Sequence, residues 1–205
     1  ADMWLGLPVG DDPVSLEYDL GQVYKLHQML VWNYNVQFEP VLGFGLKNVT
    51  IEYSTDGAEW AVFGDVELNQ ATAQPGYAAN STVDFGGAAV KLVKITVNSN
   101  YSGLASYGLS EVRFSQIPAM ARKPHPEAGA SNVSVDTMLS WRAGREAVWH
   151  DVYLGTDADA LSLADSVDDA GYNPGTLDLA TTYFWKVDEV NEAEAISRWE
   201  GDVWS

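Results

Sequence analysis

Alternation of polar and apolar residues with a period of two runs through this chain almost from end to end. That pattern constrains its fold more than any other feature. Ser15-Leu16-Glu17-Tyr18-Asp19-Leu20 alternates, and so do Lys25 to Trp32, Asn48 to Tyr53, Trp60 to Val66, Ser81 to Phe85, Lys91 to Val97 and Glu111 to Phe114. Successive side chains of a strand point to opposite faces, so each run offers one face to a core and the other to water. No segment carries apolar residues at the spacing of a helical stripe. Thr137 to Trp141, His150 to Leu154, Thr181 to Val190 and Asp202 to Trp204 continue the pattern, and only Asp157 to Leu163 reads as a helical turn. Short strands separated by Gly, Asn, Asp and Pro predict an all-β protein built from antiparallel sandwiches.

A chain of 205 residues has room for two cores. Between Ile117 and Gly129 stand Pro118, Pro124 and Pro126. Proline supplies no backbone donor and pushes the residue before it into extended conformations, so neither a helix nor a central strand is expected there. The stretch reads as a short, semi-rigid linker between a first domain, residues 1–118, and a second, residues 119–205.

Charge and composition exclude several functions. With 29 acidic against 11 basic residues the formal charge is −18, which repels a phosphate backbone and removes nucleic acid as a partner. No stretch approaches the ~18 apolar residues of a membrane span. The chain has no Cys, so it has no disulfide, no Cys-ligated zinc and no thiol catalysis. His27, His125 and His150 fall in no H-E-x-x-H pattern, and neither a G-x-S-x-G elbow nor a Gly-rich phosphate loop is present. Glycoside hydrolysis needs two carboxylates, but among so many acids a pair such as Glu39 and Glu59 carries no specificity. Asp11-Asp12, Asp157-Ala158-Asp159 and Asp168-Asp169 lack the spacing of a calcium loop and read as turns. The chain reads as non-enzymatic. It shows no leader peptide and opens and closes abruptly on Asp2-Met3-Trp4 and Val203-Trp204-Ser205, as a piece of a longer polypeptide would.

Five stretches in order resemble the discoidin, or coagulation-factor type C, family: Val14 to Gly21, Val23 to Trp32, Tyr53-Ser54-Thr55-Asp56-Gly57-Ala58-Glu59-Trp60, Val90 to Val97 and Gly108 to Phe114. The resemblance implies a discoidin-like jelly-roll β-sandwich, of the kind found as carbohydrate-binding modules in secreted bacterial enzymes. It also implies a structural calcium with Glu111 as its late carboxylate. The family's opening strand and its N-x-x-D-G-x loop, which carries further ligands, have no counterpart before Trp4. No other cofactor is expected. The second half resembles a smaller fibronectin type III-like β-sandwich, with Trp141 as a core tryptophan and Tyr183 as the tyrosine that braces a turn between strands.

Within the first domain, Asp56-Gly57 is a hairpin signal joining two strands, which makes Tyr53 to Trp60 a corner. Sugar binding needs an aromatic face for a pyranose and planar amides for its hydroxyls, and three loops offer them. The expected ligand residues are Asn33, Tyr34, Asn35 and Phe44 in the loop after Trp32, Tyr77 in Gln74 to Asn80, and Asn100, Tyr101 and Tyr107 in the loop before the last strand. Trp32 alternates in phase with Leu30 and reads as core. Tyr34, Phe38 and Phe44 have a competing reading as the loop's own small core.

The expectation is a non-catalytic binding fragment of an extracellular bacterial protein, which takes a glycan or cell-surface polysaccharide through the jelly roll and uses the second domain as a spacer toward neighbouring domains. Two rivals are a structural or adhesive module that contacts protein, whose loop aromatics would pack inward, and the accessory region of a glycoside hydrolase.

Overall fold

In the computed structural model of the chain, residues 3–10 and 12–205 are described, and Asp11 of the Asp11-Asp12 pair lies outside them. The protein is all-β and forms two compact units, Ala1–Ile117 and Pro118–Ser205. No helix among the described residues is long and apolar enough to cross a membrane.

The first unit contains β1 (Trp4–Gly6), β2 (Ser15–Asn33), β3 (Asn48–Ser54), β4 (Ala61–Glu67), β5 (Ser81–Val97) and β6 (Tyr107–Ile117), with a single helical turn α1 (Glu39–Leu42). The strands pair antiparallel in the order β1-β6-β2-β5-β3-β4. Period-2 runs that read as four strands are two. Ser15 to Leu20 and Lys25 to Trp32 belong to one 19-residue β2, and Ser81 to Phe85 and Lys91 to Val97 to one 17-residue β5.

Local register breaks explain why the sequence looks interrupted there. Between the pairs Asp19↔Leu92 and Tyr24↔Val90 the excess residues lie on β2, around Gly21 at φ 87°. Between Leu26↔Ala88 and Gln28↔Asp84 they lie on β5, where Gly86 and Gly87 take φ 61° and 86°. Such bulges bend a strand without ending it, and glycine reaches positive φ at no steric cost. Each long strand thus serves two parts of the sheet, one with β3 and β4 and the other with β6 and β1. Both parts feed one core of Leu26, Met29, Val31, Val49, Ile51, Val93 and Ile95.

Trp32 is not in that core. It lies on the face opposite Met29 and Val31, half-exposed, with the Arg113 guanidinium 4.8 Å from its ring centre. Alternation places Leu30 and Trp32 together but leaves open which face is buried, and Met29 and Val31 at 0% exposure decide it. At the corner, Gly57 takes φ 83° and the Ser54 hydroxyl accepts from its N–H at 2.9 Å, while Trp60 donates from Nε1 to the Gly57 carbonyl at 3.2 Å.

The second unit contains β7 (Arg122–His125), β8 (Leu139–Arg142), β9 (Trp149–Gly155), β10 (Ser162–Val167), β11 (Gly171–Tyr172), β12 (Phe184–Val190) and β13 (Arg198–Trp199). One sheet has the order β10-β9-β12-β13 and the other β11-β8-β7. Arg122–His125, inside the expected linker, is an edge strand on β8, where proline is tolerated because one side of the ladder is free. The expected helical turn over Asp157 to Leu163 is only a turn at its start, and β10 follows at once. Asp202 to Trp204 forms no strand, only a bridge between Trp204 and Trp185.

Trp141, Trp185 and Trp204 sit in the core of this unit with Leu139, Val152 and Val187. Buried beside them, His150 Nδ1 meets Glu189 Oε2, and Glu189 Oε1 accepts from Gly144 N–H at 2.8 Å. The Tyr183 hydroxyl accepts from Asp178 N–H at 3.2 Å and so braces the turn that precedes β12.

Candidate functional site

Three connections come together in the first unit: residues 34–47 between β2 and β3, residues 68–80 between β4 and β5, and residues 98–106 between β5 and β6. Asn33, at the end of β2, ties the first two. Its Nδ2 donates to Leu46 O at 2.7 Å and to Asn69 O at 2.8 Å, and its Oδ1 accepts from Leu46 N–H and Tyr34 N–H, both at 2.9 Å. A primary amide offers two donors and an acceptor with two lone pairs, and all are used.

Glu39 is the second tie. It is 0% exposed, and its carboxylate accepts from Gly45 N–H at 2.7 Å and Phe44 N–H at 3.3 Å. Burial pushes its carboxyl above the ordinary carboxylate range, and the two backbone donors oppose that shift. Asn100 is the third tie. Its Nδ2 donates to Leu104 O and Ser106 O, both at 2.7 Å, and its Oδ1 accepts from Gly103 N–H at 2.8 Å. Gly43 O accepts from Tyr101 N–H and Ser102 N–H, which joins the first connection to the third.

The structure gathers the expected ligand residues in this region but turns most of them inward. Asn33 and Asn100 are buried ties. Tyr34 is 9% exposed, its ring against Gly108. The Tyr77 hydroxyl donates to Asn33 O and the Tyr101 hydroxyl to Leu68 O, and burial raises both phenols above their ordinary value. Tyr107 packs half-buried against the core. Phe44 is half-buried, and its carbonyl accepts from Gly108 N–H. Asn35 keeps one polar atom unused. Its Nδ2 donates to Gln74 O at 2.8 Å, but its buried Oδ1 has no partner.

Sequence reasoning left Phe38 out of the expected ligand residues. A competing reading put it in the loop's own small core, yet it is 64% exposed and sits at φ 73°. A bulky residue in the left-handed region is strained and marks a candidate functional position. The signal available in the sequence was Pro40, which sits in the first turn of α1 and leaves Phe38 as the residue before the helix. Val41 at 83% and Leu104 at 61% are also exposed.

The three connections contain two charged side chains, the buried Glu39 and the half-buried Lys47, whose ammonium lies 5.6 Å from the Tyr101 ring centre. The outward groups are amides, hydroxyls and apolar side chains, including Gln37, Asn69, Thr72, Gln74, Asn98 and Ser102. In a chain with formal charge −18, no acidic side chain of these connections faces outward.

The calcium that the resemblance implied does not fit the residues present. The Glu111 carboxylate accepts from Arg113 Nε at 2.6 Å. Calcium takes six to eight oxygens, and no three His, Asp or Glu side chains converge among the described residues.

No protein-family model matches the chain, and no curated protein matches it. Among solved structures it is similar to a family 32 carbohydrate-binding module from a family 31 glycoside hydrolase of Clostridium perfringens, at 18% identity over 56% of this chain and 74% of that one, with a TM-score of 0.39. It is also similar to CpGH89 of Clostridium perfringens, at 16% identity over 66% of this chain and 13% of that one, TM-score 0.41. A third is truncated AlyQ with its family 32 module and alginate lyase domains, at 13% identity over 91% of this chain and 70% of that one, TM-score 0.37.

Proposed function

We propose that the first unit is a non-catalytic module that binds a neutral glycan at its loop end. The observation that carries this reading is that the three connections turn amides, hydroxyls and apolar groups outward and no carboxylate, with the strained, exposed Phe38 among them. A neutral sugar offers C–H faces and hydroxyls. The first suit an aromatic ring and the second suit amide and hydroxyl side chains, and neither gains from a charge. The buried ties hold the backbone in place, so binding does not have to order the loops. An open surface of this kind binds weakly.

In this reading Phe38 is the platform. Gln37, Gln74, Asn35 and Ser102 supply polar contacts, while Asn33, Asn100, Tyr34, Tyr77 and Tyr101 position the loops from behind. The module works outside the cell as part of a longer polypeptide, with the second unit as a fibronectin type III-like spacer.

Titration with neutral oligosaccharides, followed by backbone amide shifts, tests this. Shifts are expected within 35–42, 72–77 and 98–106, with at least tenfold weaker binding by Phe38→Ala at an unchanged far-UV spectrum. No shift with any neutral oligosaccharide contradicts it.

A second reading, a structural module that contacts protein, draws on the inward hydroxyls of Tyr77 and Tyr101. It expects the same region to shift on addition of a protein partner and to ignore sugars.

A further inference from the structure

We propose that the second unit holds a ligand site of its own, a cleft between residues 126–139 and 177–185 that takes a small uncharged molecule with an apolar body. The cleft has a volume of about 630 Å³, within the range of small-molecule sites. Leu139 and Trp185, each 3% exposed, line it together with Leu154 from β9. The exposed hydroxyls of Ser131, Ser134, Thr181 and Thr182 also line it.

Its walls are fixed to each other. Leu177 N–H donates to Val135 O at 2.8 Å, Thr176 Oγ1 donates to Asp136 Oδ1 at 2.7 Å, and Gly129 N–H donates to Ser205 O at 2.8 Å. Both walls carry non-glycine residues in the left-handed region, Asn132 at φ 59° and Ala180 at φ 55°. Asparagine tolerates that region, but alanine gains nothing locally from it, so the surrounding structure holds Ala180 there at a cost.

The lining selects the chemistry of the ligand. No Lys, Arg or His lines the cleft, so an anion finds no counter-charge. A cation meets the Asp178 carboxylate, which already lies 3.4 Å from the Tyr183 hydroxyl. Trp185, 3% exposed and packed against Trp141 and Trp204, offers no open ring face for a sugar. Apolar side chains bordered by hydroxyls remain, and they match a neutral molecule with an apolar body and one or two polar groups.

The test uses the whole chain and the neutral fluorescent probe N-phenyl-1-naphthylamine. Saturable one-to-one binding is expected, with blue-shifted emission and amide shifts confined to 126–139 and 177–185. Binding of the anionic analogue 8-anilinonaphthalene-1-sulfonate is expected to be at least tenfold weaker. Ser134→Trp and Thr182→Trp each place a large side chain at an exposed lining position and are expected to weaken the neutral probe at least tenfold without changing the unfolding midpoint. Absence of saturable binding overturns the proposal. So do unchanged affinities in both variants, amide shifts that map to the first unit, or an anionic probe that binds as well as the neutral one.

Discussion

The Asn33 side chain and the Leu46 backbone bond each other in both directions. Nδ2 donates to Leu46 O at 2.7 Å, and Oδ1 accepts from Leu46 N–H at 2.9 Å. One buried amide thus does for a loop what a neighbouring strand does in a sheet. Asn33→Ala leaves the N–H and C=O of Leu46 buried without partners, and each such group costs about 1–3 kcal/mol. We expect a stability loss of about 3 kcal/mol by urea unfolding. A loss under about 1 kcal/mol would mean that the loops hold without this tie.

Glu39 makes stability depend on pH in a definite direction. Burial raises its folded pKa, so the folded state holds the proton more tightly than the unfolded chain does. Its contribution to stability is fully present below the ordinary carboxyl pKa and is lost as pH rises through the raised one. The stability of the natural chain minus that of Glu39→Gln should therefore fall as pH rises across this window, and flatten above it. Urea midpoints of both proteins between about pH 4 and pH 8 measure this, and a difference that grows with pH contradicts it.

Two glycines separate packing from backbone strain. A Cβ on Gly108 would fall on the Tyr34 ring, while one on Gly103, at φ 75°, would meet nothing within 4 Å. Gly108→Ala should cost about 1–3 kcal/mol by overpacking, and Gly103→Ala about 1 kcal/mol by strain alone. Equal losses in thermal unfolding would show that Tyr34 yields and does not brace the loop end.

Glu189 holds the second unit together from inside. Its carboxylate serves both His150 Nδ1 and Gly144 N–H, and a Cβ on Gly144 would strike the Ala119 carbonyl, so that stretch has no room to rearrange. Glu189→Ala strands two buried polar groups, and we expect a loss of about 2–4 kcal/mol, read from the fluorescence of Trp141, Trp185 and Trp204 during unfolding. An unchanged midpoint would place the pair outside the cooperative core.

The all-β fold was legible because alternation is a local property, and β3, β4 and β9 match their runs closely. Continuity was not legible, since a glycine that bends β2 or β5 looks in sequence like one that ends a strand. At the candidate site the composition of the loops could be read, but not the direction of their side chains. Asn33 and Asn100 look like sugar ligands for the same reason that they make good internal ties: an amide offers donors and acceptors to whatever is nearest, and the nearest groups are backbone. Phe38 was left out of the expected ligand residues because local pattern does not reveal a left-handed φ for phenylalanine.

The central claim is that the loop end of the first unit recognises a neutral glycan through Phe38. An array of neutral and charged glycans, probed with the natural chain and with Phe38→Ala at low and high salt, tests it most directly. The account predicts binding confined to neutral glycans, insensitive to salt because no ion pair contributes, and at least tenfold weaker in Phe38→Ala. Binding to charged glycans only, or binding to neutral ones that Phe38→Ala leaves unchanged, would contradict it.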